Sequence, residues 1–266
     1  MKKMIVVGDS FGSNYVEQMN SNTPDFRWDL IGDMSTNEDK QPNWKYIKPY
    51  PIWPEIIAKH LNLSLTNLSS SGLGNWAIYS MALDTIMSKK EIGILIVVWS
   101  GMNRVNFENP DTKDKFGPWY KRYDGHYRDG KFYTELPTPP PPRGNIRGYL
   151  RYVYSLQEIC KARNVNVLMF QSVHPINRKD YHNKDYYSKD QYIKIGMDLL
   201  NSPYYNKIDK TIFPDFPGDI TFGGQSLSMT DLMKTKDNLT INKKDHHPNE
   251  FGQKVIADHV TKYLHD

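Results

Sequence analysis

Apolar residues along this chain fall into short unbroken runs, separated by stretches in which they recur every three or four positions. The runs are Met4–Val7, Leu63–Leu68, Ile92–Trp99 and Val165–Phe170, the second being the weakest in composition. Between and after them, helical spacing predicts four helices. Ile52–Leu61 carries Ile56, Ile57 and Leu61 on one side, and Asn75–Lys89 repeats Ile78, Ala82 and Ile86 at intervals of four. Ile146–Arg163 has a stripe of Leu150, Val153, Tyr154, Ile159 and Cys160, and Phe251–Leu264 one of Val255, Ile256 and Val260, with Pro248 placed near the first turn. Strand-like runs alternating with amphipathic helices predict a parallel sheet flanked by helices.

Two stretches interrupt the alternation. Arg104 to Arg143 is rich in aromatics and charge, contains Asp124-Gly125 and Asp129-Gly130, and ends in four prolines, Pro139 to Pro142. It reads as an insertion holding a small hairpin followed by a stiff polyproline spacer. Asn177 to Asn242 places Tyr186, Tyr187, Tyr192 and Met197 in a predicted helix, then Gly218, Gly223 and Gly224 in loop. The chain of 266 residues is expected to form one domain carrying the insertion at about 104–143.

Composition narrows the classes. With 34 basic and 30 acidic residues intermingled, the net charge of +4 forms no stripe for nucleic acid or for a membrane surface. A lone Cys160 excludes an internal disulfide and a multi-cysteine zinc site. The run Met4–Val7 is too short for the core of a signal peptide, and no stretch approaches the length of a membrane span. The expectation is a protein without an export signal, cytoplasmic or virus-associated.

Candidate chemistry sits at the two ends. Gly8-Asp9-Ser10 follows the first apolar run directly, and Asp245-His246-His247-Pro248-Asn249 precedes the last helix. A tight turn after a strand can present a serine hydroxyl at the sheet edge, and a histidine folded against it can accept the proton. Taken singly, Ser10 reads equally as a helix N-cap and His247 as a solvated residue before a proline. Two further segments join them: Asn67-Leu68-Ser69-Ser70-Ser71-Gly72 and Gly101-Met102-Asn103, the latter after the Ile92–Trp99 run. In order and placement these four blocks resemble the SGNH (GDSL-type) hydrolases, across nearly the whole chain.

The resemblance implies a flavodoxin-like three-layer sandwich with a mainly parallel central sheet flanked by helices, here with an aromatic-rich hairpin insertion. It implies an esterase with no cofactor, acting on a short-chain, acetyl-type ester through an acyl-serine. Ser10 would be the nucleophile. His247, of a residue type whose ordinary pKa is about 6.5, would be the base, oriented by Asp245. The oxyanion donors would be the backbone N–H groups of Ser10 and Gly72 and the side-chain amide of Asn103. On their own residues, Gly72 reads as a turn glycine and Asn103 as a strand-end cap. Two positions depart from the family pattern: Arg104 stands where an acid is usual, and the acid before His247 lies two residues back, with Lys244 at the commoner spacing of three. Asp9 would brace the nucleophile turn.

Substrate contacts are expected from Trp119 and Tyr120 in the insertion and from His174 after the Val165–Phe170 run; aromatic faces with polar tips suit a carbohydrate or another polar ester. The same aromatics would equally pack the hairpin, and His174-Pro175 would equally close a loop. Asp245, His246 and His247 are adjacent donors whose side chains diverge, so no metal site is expected. The oligomeric state stays open. Rival functions are acyl transfer, a carbohydrate-binding or structural module of the same fold without activity, and a phosphate binder using the Gly8–Gly12 turn.

Overall fold

The computed structural model describes residues 2–14, 49–71, 73–88, 91–101, 106–107, 121–122, 126–128, 131–133, 142–173, 196–197, 200–214, 228–241 and 247–264, with side chains described outside 106–146. In chain order its elements are β1 (Lys3–Gly8), α1 (Trp53–His60), β2 (Ser64–Asn67), α2 (Asn75–Ser88), β3 (Ile92–Trp99), β4 (Asn106–Phe107), β5 (Lys121–Arg122), β6 (His126–Arg128), β7 (Lys131–Tyr133), α3 (Pro142–Ala162), β8 (Val167–Gln171), α4 (Met229–Met233) and α5 (Glu250–Thr261).

Strands β2, β1, β3 and β8 lie side by side in that order, all parallel. Alternate residues along each strand point to opposite faces, and here both faces are covered. Ile5 and Val7, Leu95, Val97 and Trp99, and Val167 and Met169 face a layer built from Ile78 and Ala82 of α2 and Leu150 and Val153 of α3. Met4 and Val6, Ile96 and Val98, and Leu168 and Phe170 face Ile57 of α1 and Ile256 and Val260 of α5. The result is the three-layer α/β sandwich. Double coverage is why β1 and β3 read as unbroken apolar runs. Among the described residues, strand β2 pairs only with β1 and is half-buried throughout, which accounts for its weak sequence signal.

The helices match the periodic segments with small shifts at their ends. Helix α3 begins at Pro142, earlier than Ile146, because a proline lacks only a donor that the first turn leaves unused. Strands β6 and β7 pair antiparallel with Arg128 opposite Lys131, a hairpin inside the predicted insertion; Asp129-Gly130 lies outside the described residues. The helix expected around Tyr186, Tyr187 and Tyr192 lies outside the described residues, as do Pro139 to Pro141. Among the described residues no helix is long and apolar enough to cross a membrane.

Chain order decides where a ligand fits. After β1 the chain crosses one face through α1 to β2, then returns across the other face through α2 to β3, so β1 and β3 are neighbours whose connections leave in opposite directions. In open α/β sheets the crevice outside the carboxyl ends of such a strand pair is the binding position. Gly8 ends β1 there, beside Val98 of β3. The strands approach so closely that a side chain on Gly8 would meet Val98 Cβ at 2.7 Å.

Candidate active site

Ser10 stands two residues beyond β1, in a loop tied by hydrogen bonds within itself and to neighbouring strand ends. Asp9 is fully buried; its Oδ1 accepts from Phe11 N–H at 3.1 Å and its Oδ2 from the Ser172 hydroxyl at 2.6 Å. Its carbonyl accepts from Gly12 N–H at 3.0 Å. The bracing role expected of Asp9 is thus observed, and Ser172, just past β8, is the partner. From the β2 side, Asn67 Nδ2 donates to Gly12 O at 2.7 Å, and Ser70 N–H to Gly8 O at 3.0 Å. Gly12 packs so tightly on this segment that an added Cβ would collide with Ser69 Oγ.

His247 arrives from the other end of the chain. Its Nε2 lies 2.7 Å from Ser10 Oγ, across 237 residues of sequence. Its carbonyl accepts from Ile241 N–H at 2.9 Å, and Pro248 forms an antiparallel bridge with Thr240. Asn249 completes the mount: its Nδ2 donates to the carbonyls of Asn238 and Thr240 at 2.7 and 2.9 Å, while its Oδ1 caps α5 by accepting from Phe251 and Gly252 N–H, both at 3.0 Å. Pro248 lies where the sequence places it, near the first turn of α5. It stands directly before the N-cap, and the Tyr50 hydroxyl donates to its carbonyl at 2.9 Å. The phenyl ring of Phe11 packs beside the imidazole, with centroids 5.3 Å apart and planes inclined by 33°.

The end of β3 is held by amides that sequence reasoning did not single out. Asn75, the first residue of α2, accepts from Ser100 N–H at 2.8 Å and donates to the carbonyls of Ser100 and Gly101 at 3.0 and 3.4 Å. Gln171 Nε2 donates to the carbonyls of Trp99 and Ser100 at 3.2 and 2.9 Å. Its Oε1 accepts from the Tyr149 hydroxyl at 2.8 Å. Burial pushes the Tyr149 phenol well above its ordinary range, so it stays a donor. Gly101 therefore leaves the sheet from a fixed point, two residues before Asn103. The hydroxyls of Ser69 and Ser100 are buried at this same edge with no hydrogen-bond partner among the described residues.

Of the predicted site residues, the structure brings Ser10 and His247 together. Gly72, Asn103, Asp245, His246, Trp119, Tyr120 and His174 lie outside the described residues. Cys160 is no rival nucleophile: burial pushes its thiol up to about 12, leaving it protonated inside the α2–α3 layer. Asn249 carried a usable sequence signal, since an asparagine directly before an acidic first turn favours the N-cap. Asn75, Gln171 and Ser172 carried none, because their partners lie between 22 and 163 residues away.

No protein-family model matches the chain, and no curated protein matches it. Among solved structures, it is similar to a protein from Desulfitobacterium hafniense DCB-2 described as lipolytic and of the G-D-S-L family, at 12% identity and a TM-score of 0.46, covering 99% of this chain and all of that one (100%). It is also similar to an acetyl xylan esterase from the rumen bacterium Butyrivibrio proteoclasticus, at 12% identity and a TM-score of 0.43, over 99% of this chain but 63% of that longer one. Independently of either likeness, the chain folds as a three-layer α/β sandwich that sets a serine hydroxyl against an imidazole at the β1–β3 switch point.

Proposed function

We propose that this protein is a serine esterase of the SGNH (GDSL-type) kind that removes a short acyl group, acetyl in the simplest case, from a carbohydrate or similar polar substrate. The observation that carries the reading is the 2.7 Å approach of His247 Nε2 to Ser10 Oγ. A serine hydroxyl is a weak nucleophile until a base within hydrogen-bond reach takes its proton. In the proposed reaction, Ser10 Oγ bonds to the ester carbonyl carbon as its proton passes to His247. The carbon–oxygen bond to the leaving alcohol then breaks, and the imidazolium returns the proton to that oxygen. Water, deprotonated by the same imidazole, attacks the acyl-serine and releases the acid. Asp245 would orient the imidazole, while Ser10 N–H, Gly72 N–H and the Asn103 amide would hold the oxyanion.

A fluorophosphonate probe tests this without knowledge of the natural substrate. Covalent labelling that maps to the Ser10 peptide is expected; an intact, folded protein that resists the probe refutes the reading.

The carbohydrate assignment draws on an exposed aromatic group at the start of α2, next in sequence to the Asn75 clamp on β3. Trp76 follows Asn75 directly and is 43% exposed. It packs against Tyr152 and Tyr79 at centroid distances of 5.6 and 6.1 Å, and those two stack on each other at 5.1 Å. A rigid aromatic shelf suits the apolar face of a sugar ring, with hydroxyls free to bond around it. Trp76→Ala is expected to lower the ratio of kcat/KM for an acetylated oligosaccharide over that for a small activated acetate about tenfold, a difference of about 1.4 kcal/mol. An unchanged ratio would remove Trp76 from substrate recognition.

A further inference from the structure

We propose that Phe11 is a positioning residue for the serine–histidine pair, its ring acting as the wall that keeps the His247 imidazole turned toward Ser10, with Trp53 locking Phe11 itself. The inference rests on the esterase reading and deepens it.

Main-chain bonds fix the backbone on either side of His247, and side-chain contacts set the direction of its ring; Ser10 Oγ at 2.7 Å is one of them and the Phe11 ring another. The ring of Phe11 lies 5.3 Å from it, tilted by 33°, and is itself only 4% exposed, so it has neighbours on its other side that prevent retreat. Phe11 is pinned at both ends of its peptide unit: its N–H donates to Asp9 Oδ1 at 3.1 Å, and its carbonyl accepts from Trp53 Nε1 at 2.7 Å. Trp53 is fully buried, and its own N–H donates to Gln253 Oε1 at 2.9 Å. Gln253 belongs to α5, whose cap Asn249 stands two residues after His247.

Two physical links therefore join the nucleophile turn to the histidine segment. One is the ring contact between Phe11 and His247. The other is a buried chain of hydrogen bonds running from Phe11 through Trp53 to Gln253 and α5. Together they make the Ser10–His247 separation a property of one rigid frame, although the two residues belong to opposite ends of the chain.

The test is the rate of fluorophosphonate labelling at Ser10, resolved into reversible binding (KI) and bond formation (kinact), with melting curves to establish folding. Phe11→Leu keeps an apolar side chain but loses the planar wall; kinact is expected to fall about tenfold with KI within about twofold, since a misplaced base slows chemistry more than binding. Phe11→Tyr keeps the ring and is expected to recover most of the rate. Trp53→Phe keeps a buried ring and removes the Nε1 donor to Phe11; kinact should fall about threefold, a loss of the size expected for one buried hydrogen bond felt at the site. A purely structural role would lower melting temperature without this split and without rescue by tyrosine. Wild-type labelling with an undiminished kinact in both Phe11→Leu and Trp53→Phe overturns this inference alone. A wild type that is not labelled at Ser10 overturns the esterase reading and this inference with it.

Discussion

Turnover of a small activated acetate ester falls by about ten-thousandfold in Ser10→Ala and by a similar factor in His247→Ala, and the double variant loses little more than either single one. The non-additivity is the informative part. If hydroxyl and imidazole act as one unit through their 2.7 Å contact, removing the second partner after the first costs almost nothing further. If they act independently, the two losses multiply. Neither change should unfold the protein. Ser10→Ala deletes one oxygen, and the His247 backbone is held by Ile241, Thr240 and Asn249 whatever its side chain. Melting temperatures should therefore move by only a few degrees. Near wild-type turnover in either folded variant would rule out the assigned roles.

Gly252→Ala produces the opposite of what a helix rule suggests. Within a helix, glycine to alanine ordinarily adds about 0.5–1 kcal/mol of stability by reducing the freedom of the unfolded chain. Here the added methyl would collide with the Leu239 carbonyl oxygen and come within 2.8 Å of Met233 Sδ and 2.9 Å of Pro248 Cβ. The methionine can yield, but the carbonyl belongs to the segment on which His247 is mounted and accepts from Asn249 N–H at 2.9 Å. Overpacking of this kind costs about 1–3 kcal/mol, enough to outweigh the helical gain. Relief requires α5 to move away from residues 239–241, carrying Asn249, Pro248 and His247 with it. A displacement on the order of 1 Å at the base is expected to reduce activity roughly a hundredfold. Chemical denaturation and esterase assay of the same preparation test both parts; a variant more stable than wild type and fully active would show that the helix tolerates the methyl.

Much of the scaffold was legible because burial on both sheet faces writes itself as unbroken apolar runs. Ile92–Trp99 is a strand over the predicted range, β1 exceeds its run by one residue at each end, and α2 ends one residue before the predicted Lys89. Ends were less legible where local chemistry overrides periodicity, as at Pro142, the first residue of α3, and at Asn249, whose side chain caps α5. Within the site, the turn residues were legible through Asp9, whose short carboxylate suits bonding to an amide two positions on. The Ser172 hydroxyl on its other oxygen, the Asn75 and Gln171 clamps on β3, and the Trp53 link between the turn and α5 were not legible. Each depends on which loop a fold happens to bring alongside.

Read alone, the order of apolar and polar positions determined the kinds of element, their succession and the side of the sheet on which strand-end residues emerge, because hydrophobic burial has a period that a linear sequence can display. It also named a serine and a histidine as candidates. Only the tertiary structure decided that they meet, which ring stands beside the imidazole, and why Gly252 has no room for a methyl. Those outcomes are distances between segments as much as 237 residues apart, and they follow from how two layers of helices close on one sheet.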